Sequence, residues 1–216
     1  MRRWRGRDTA GPCTGLWAVA LLGLLWAVPV NAQDGQPVAE PQVDMAEMMA
    51  RMREFTAPGE AHTLLERFIG DWDTALQVSM AAGGAASPEQ GTATFSWLME
   101  GRWLSHESRG AMMGMPFESF GILGYDRFKK SYVSVFVGTL DTAMLTAEGD
   151  MDPGGKALIS YGTMDEYLTG EHDKMVKYVW RFVDDDTMVF EIHDLPIGEE
   201  NTKVVQITYK RRVAAS

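Results

Sequence analysis

From Trp72 onward the chain alternates apolar and polar positions with a period of two, the pattern of half-buried strands. Leu76, Val78 and Met80 alternate with Gln77 and Ser79, and the run stops in a small-residue turn at 81–88. Comparable runs occupy 92–98, 103–109, 116–125, 132–137, 144–150 and 157–164. Val176, Tyr178, Trp180 and Phe182 share one face of the next run, followed by Met188, Phe190 and Ile192, and finally by Val205, Ile207 and Tyr209. The breaks between them are hairpin-length and turn-rich, as at 126–130, 152–155 and 184–186. Parallel βαβ units need crossovers of a dozen or more residues, and none is available here. About ten antiparallel strands in series must close on themselves to remove their edges. The pattern therefore predicts an all-β fold, a closed antiparallel up-and-down barrel of about ten strands, large enough to enclose one small ligand.

Ahead of the strands the period changes. Met45, Met48, Met49, Met52 and Phe55 are spaced by three and four, which predicts an amphipathic helix over 45–55. Pro58-Gly59 stops it, and Leu64, Leu65, Phe68 and Ile69 predict a second short helix capped by Gly70. Residues 33–44, rich in Gln, Pro, Asp and Glu, read as a flexible lead-in. The extreme N-terminus has four arginines (Arg2, Arg3, Arg5, Arg7), a charge-free apolar run at 16–28 and the small-residue pattern Val30-x-Ala32. That is the form of a secretory signal peptide cleaved after Ala32, and the apolar run is well short of the roughly 20 residues that span a bilayer. The organisation expected is signal peptide 1–32, lead-in with Met-rich helix 33–57, and barrel domain 58–213, in a periplasmic or secreted protein. The Arg2-Arg3 pair leaves the export route, general or twin-arginine, open.

Composition narrows the function. Of the 216 residues, 45% are hydrophobic, enough for a single core, so wholesale disorder is excluded. The formal charge of −10 becomes −13 once the four arginines and Asp8 of the leader are gone, which argues against a nucleic-acid partner. Cys13 is the sole cysteine and leaves with the leader, so the mature chain has no disulfide, thiolate nucleophile or cysteine metal site. With the leader removed, no membrane span is expected.

Specific residues point to a family. Gly70-Asp71-Trp72, opening the first strand after a short helix, resembles the G-x-W signature of lipocalins and their calycin relatives. Longer segments resemble a bacterial family of uncharacterised proteins, DUF1579, over about residues 58–211. They are Pro58-Gly59-Glu60-Ala61-His62-x-Leu64-Leu65, Gly101-Arg102-Trp103-Leu104, Gly110 to Glu118, Gly124-Tyr125-Asp126 and Asp184-Asp185-Asp186-Thr187-x-Val189-Phe190-Glu191. The resemblance implies a lipocalin-like barrel with no established activity. It also implies that Trp72 packs at the closed end beneath a basic side chain of the last strand, for which Arg211 has the right parity. A haem-binding role of the nitrobindin type, through His193 or His106, is a further implication of the superfamily. The family pattern has an aromatic residue where this chain has His193, so such a role would not be general.

The chemistry along the chain favours binding over catalysis. His106-Glu107 lacks the second histidine of a zinc protease motif, because position 110 is Gly110, and no nucleophile elbow, P-loop or dinucleotide fingerprint occurs. Asp150-x-Asp152-x-Gly154-Gly155 lacks the remaining acids of a calcium loop and reads as a hairpin turn. The methionines at 45–52 and 112–115 could ligate Cu(I), but packing by an adaptable side chain explains them more simply. His62 is expected to cap or pack, and His172 to be solvated. Trp97, Trp103, Tyr161, Tyr178, Trp180 and Phe190 are candidates for an apolar ligand lining, with Arg102, Glu107 and Glu191 orienting a polar head group. The competing reading of Arg102 and Glu107 is a surface ion pair. The leading expectation is thus an exported, non-catalytic barrel with no cofactor, binding a small apolar or amphipathic molecule. The alternatives are the haem protein and a structural or interaction module with a filled barrel; in any of these the helix 45–55 is a candidate homodimer contact. Intact-mass measurement of the exported protein should place its first residue at Gln33; a mass that retains the leader contradicts cleavage after Ala32.

Overall fold

The alternating segments become strands that each pair with the next one along the chain. The computed structural model describes residues 44–80, 84–85, 87–166, 170–195 and 202–213; the expected signal peptide and nearly all of the lead-in lie outside them. Helix α1 spans Met45–Thr56 and α2 Glu60–Thr63, continued by a 3-10 turn at Leu64–Arg67. The strands are β1 (Gly70–Met80), β2 (Gly84–Ala85), β3 (Glu89–Met99), β4 (Trp103–Met112), β5 (Met115–Asp126) and β6 (Ser131–Gly138), then β7 (Leu145–Met151), β8 (Ala157–Glu166), β9 (Glu171–Phe182), β10 (Thr187–Asp194) and β11 (Thr202–Arg211). Order along the sheet is β11-β10-β9-β8-β7-β6-β5-β4-β3-β1, and β11 returns to pair with β1 from Trp72↔Arg211 to Val78↔Val205. Ten antiparallel strands thus form a closed barrel. The two-residue β2 adds a short flap to the end of β1, inside a stretch expected to be all turn.

Most strands overrun their expected ends. β9 begins at Glu171 rather than 176 and β11 at Thr202 rather than 205, because ladder hydrogen bonds carry polar ends that alternation does not register. The turns show local chemistry. Met113 and Gly114 both have positive φ between Met112 and Met115, which face each other, so the β4–β5 loop has the twist that suits a two-residue hairpin. Asp152 Oδ1 accepts from the amides of Lys156 and Ala157, and Oδ2 accepts from Gly154, so this loop is a side-chain-stapled hairpin.

The helix end of the barrel is plugged. Leu65, Phe68 and Trp72 are fully buried, and Phe68 packs against Phe95, Trp180 and Phe182 with ring centres 5.0–5.4 Å apart. The Trp72 indole N–H donates to the Phe68 carbonyl at 2.9 Å, and the Tyr132 hydroxyl donates to the Ala61 carbonyl at 2.7 Å. The Arg211 guanidinium lies over the Trp72 ring, 4.1 Å from its centre, and donates to the carbonyls of Ile69, Arg67 and Asp185. Gly70 is not a helix cap but the first residue of β1, with φ of +133°; a Cβ there would sit 2.7 Å from the Arg211 Nη1.

Helix α1 contributes no buried residue, and its methionines stay exposed within the single chain. Only its C-terminal end is held. Phe55 stacks on Phe128 at 4.6 Å, Arg127 donates to the carbonyls of Glu54 and Ala57, and Arg102 donates to that of Thr56.

Replacing Arg211 by Met should cost about 2 kcal/mol or more, the loss of a cation–π contact together with carbonyls left short of a donor. Gly70→Ala should cost about 1–3 kcal/mol from the positive φ and the crowding of Arg211. Urea-unfolding midpoints test both, and unchanged midpoints would refute the plug as the organising contact.

Candidate functional site

Strand alternation sends one set of side chains into the lumen, and its two halves differ. Towards α2 the lumen is filled with rings. His106 on β4 is inside this set: its imidazole stacks on Phe95 at 4.2 Å, and the rings of Phe136, Trp180 and Tyr209 are centred 5.9–6.2 Å away. Glycine makes room for them, since a Cβ at Gly121 would lie 2.4 Å from the Phe136 ring. At the far end, the mouth, apolar side chains of inward parity are only partly covered: Phe136, Met164, Ile192 and Ile207 pack on the core yet stay half-exposed. Thr74, Ser108 and Ser160 share the inward parity and are buried.

Four buried side-chain polar atoms among the described residues have no hydrogen-bond partner, and all face the lumen. They are both ring nitrogens of His106, the Tyr178 hydroxyl and Asp194 Oδ1. Leaving such a group unsatisfied costs about 1–3 kcal/mol. Burial alone pushes the His106 pKa down to about 3 and that of Tyr178 up to about 12, so both are neutral near pH 7. Asp194 differs from these in having a partner on its other oxygen, which accepts from Lys174 Nζ at 2.7 Å, and that contact raises the lysine pKa. From mid-barrel to mouth the lumen thus offers a neutral imidazole, a phenol and an ion pair with one free carboxylate oxygen.

The residues singled out in the sequence do not converge on one site. Tyr178 and Trp180 face the lumen and are buried. Trp103, Glu107, Tyr161 and Glu191 have the opposite parity and lie on the outer face, while Arg102 sits in the β3–β4 loop. Glu107 is exposed and makes no ion pair with Arg102; the outer-face pair in that region is Arg109–Glu118. Glu191 accepts from Lys203 at 3.2 Å, with His193 and Arg181 at 3.4 and 3.5 Å, and despite its partial burial these contacts hold its carboxyl below the usual range. His193 is therefore an outer-face residue. His106 is the inward histidine, but the space around it is taken by four rings, so the residues present do not fit a haem. His62 caps, its Nδ1 accepting from the Gly59 amide at 3.0 Å. Lys174 and Asp194 were missed because the expected strands stopped short of them, although both share parity with Val176 and Ile192. No group of three or more metal-ligating side chains occurs among the described residues, and none of the described helices is long and apolar enough to cross a membrane.

Closed antiparallel β-barrel with a helix-plugged base is the class that fold and lumen define. Within it, the chain belongs to the family described as "Protein of unknown function (DUF1579)", whose model matches residues 57–211. Among solved structures it is similar to "Crystal Structure of Rv2717c from M. tuberculosis", at 12% identity over 73% of this chain and 100% of that one, with a TM-score of 0.52. It also matches "Structure of a redesigned beta barrel, b11L5F_LGL", at 11% identity over 69% of this chain and 96% of that one, with a TM-score of 0.35. At these identities the first likeness speaks to the fold alone. No curated protein matches the chain.

The depressed pKa of His106 has a measurable consequence. Above about pH 6.5 the histidine is neutral whether folded or unfolded. As pH falls from there towards 3, the unfolded chain takes up a proton that the folded one refuses, so stability drops by up to about 1.4 kcal/mol per pH unit. His106→Phe, which keeps the stacking, should flatten this part of the stability–pH curve relative to wild type. Parallel curves between pH 7 and pH 4 would show that His106 is not buried as described.

Proposed function

We propose that this chain is an exported, non-catalytic barrel of lipocalin-like type that holds a small amphipathic molecule in the mouth half of its lumen. The observation that carries this reading is the direction of the unpartnered polar atoms. Tyr178 Oη, Asp194 Oδ1 and the His106 nitrogens all face one interior, where half-exposed Phe136, Ile192 and Ile207 form an apolar wall. A guest with an apolar body and one or two groups that both donate and accept would satisfy these atoms and cover that wall. Tyr178 can donate and accept, and Asp194 accepts. The neutral state of His106 and Tyr178 favours an uncharged polar group deep in the lumen. The aromatic plug sets the depth, since the helix half has rings where a guest would go.

Native mass spectrometry of the exported protein should find a co-purifying small molecule. Tyr178→Phe removes the phenol without changing the shape of the ring. It should release that molecule, while the empty protein keeps its stability or gains about 1 kcal/mol. A wild-type protein that carries no guest, together with a Tyr178→Phe variant that loses stability, would favour the filled structural barrel instead.

A further inference from the structure

The outer face holds a concavity of its own. Trp103 on β4, Gly124 on β5, Val133 on β6, Glu148 on β7 and Tyr161 on β8 are paired in register and form one row across five strands. Four strand spacings make that row about 19 Å long. Because Gly124 has no side chain, the Trp103 ring lies flat on it; a Cβ there would be 2.2 Å from the ring. With Ile122 and Val135 the row lines a groove of about 500 Å³. The Lys129–Glu148 ion pair lies along it and cancels its own charge.

At Trp103 the groove meets a smaller pocket of about 230 Å³ between the end of α1 and the base of the barrel. Its walls include Phe55, Phe128 and Tyr125, together with the guanidinium groups of Arg102 and Arg127. Neither arginine has a carboxylate partner among the described residues. Their recorded bonds go to backbone carbonyls, those of Glu54, Thr56, Ala57 and Glu100. A guanidinium carries five N–H donors, so both retain capacity. Asp126 also lines the pocket, and its carboxylate accepts from the amides of Phe128 and Lys129. His62 also lines the pocket, and its pKa is lowered, first by burial and then, against a backbone hydrogen bond at Gly59, by the fields of Arg127 and Arg102. Two guanidiniums face one carboxylate, Asp126, in the lining of this pocket, in a chain whose net charge is −10. Segments 58–62, 101–103 and 124–126, three of those that resemble the family, meet here.

We infer that this composite surface binds a single-chain amphipathic carboxylate, its head group on Arg102 and Arg127 and its tail laid across Trp103, Val133 and Val135 towards Tyr161. The pocket offers the planar donors that a carboxylate takes, and the groove, apolar at Trp103, Ile122, Val133 and Val135 and crossed by the Lys129–Glu148 pair before Tyr161, is long enough for one acyl chain. The site is separate from the lumen and does not depend on it.

Calorimetry with tetradecanoate below its micellar range tests this on the exported protein. Tetradecanoate should bind, and tetradecyltrimethylammonium, with an equal tail and opposite charge, should bind at least ten-fold more weakly. Arg102→Gln combined with Arg127→Gln should weaken tetradecanoate at least ten-fold. Because those substitutions also loosen α1, Tyr161→Ala provides a check at the opposite end of the groove: several-fold weaker tetradecanoate, with octanoate unchanged. Tyr178→Phe should leave tetradecanoate affinity as in wild type. Equal binding of the cationic amphiphile, or wild-type affinity in the arginine or Tyr161 variants, would overturn the proposal. So would loss of tetradecanoate binding in Tyr178→Phe, which would move the carboxylate into the lumen.

Discussion

The Arg211 guanidinium on the Trp72 indole sits at the seam where the last strand meets the first, and the rest of the molecule is arranged around it. Trp72 and Arg211 are paired residues in the β1–β11 ladder, so the contact that stacks them also sets the register of barrel closure. The same guanidinium collects the carbonyls of Ile69, Arg67 and Asp185, tying the 3-10 turn and the β9–β10 loop to that seam. A single cation thereby holds together the base, the entry from the helix and the closure. Gly70 is required beside it because its backbone conformation and the nearness of Nη1 leave no space for a side chain.

Plugging one end decides where chemistry can occur. Phe68, Phe95, Trp180 and Phe182 fill the base, and the rings around His106 extend that filling to mid-barrel. Inward residues nearer the mouth have no such cover, which is why Phe136 and Ile192 remain half-exposed and why Tyr178 and Asp194 keep polar atoms without partners. Buried polar groups are costly when unsatisfied, and their grouping on one interior surface is what separates this lumen from a uniformly apolar core.

Glycine opposite an aromatic ring is used on both faces of the barrel. Inside, Gly121 admits Phe136; outside, Gly124 admits Trp103. The first choice seats Phe136 beside His106 at the inner edge of the mouth, and the second flattens a tryptophan into the floor of an external groove. Both glycines are on β5, three residues apart and of opposite parity, so one strand shapes both surfaces.

Alternation of apolar and polar residues was enough to establish the barrel, because hairpin-length breaks leave consecutive strands no option but to pair and then close. The family resemblance implied that Trp72 lies beneath a basic side chain of the last strand, alternation singled out Arg211 by parity, and the two meet because β11 pairs with β1. Parity was equally available for Tyr178 and Trp180, and for the outward positions of Trp103, Glu107, Tyr161 and Glu191, yet aromatic and charged residue types outweighed it when a single lining was assembled. The parity that puts Glu107 and Glu191 outside also puts His106 inside and His193 outside; tertiary structure then decided that four rings pack around His106. It alone decided how far the rings fill the lumen, because that depends on which glycine lies under which ring across strands. And it alone brought Arg102, Arg127 and the end of α1 together, as their proximity arises from loops that meet only at the base of a closed barrel.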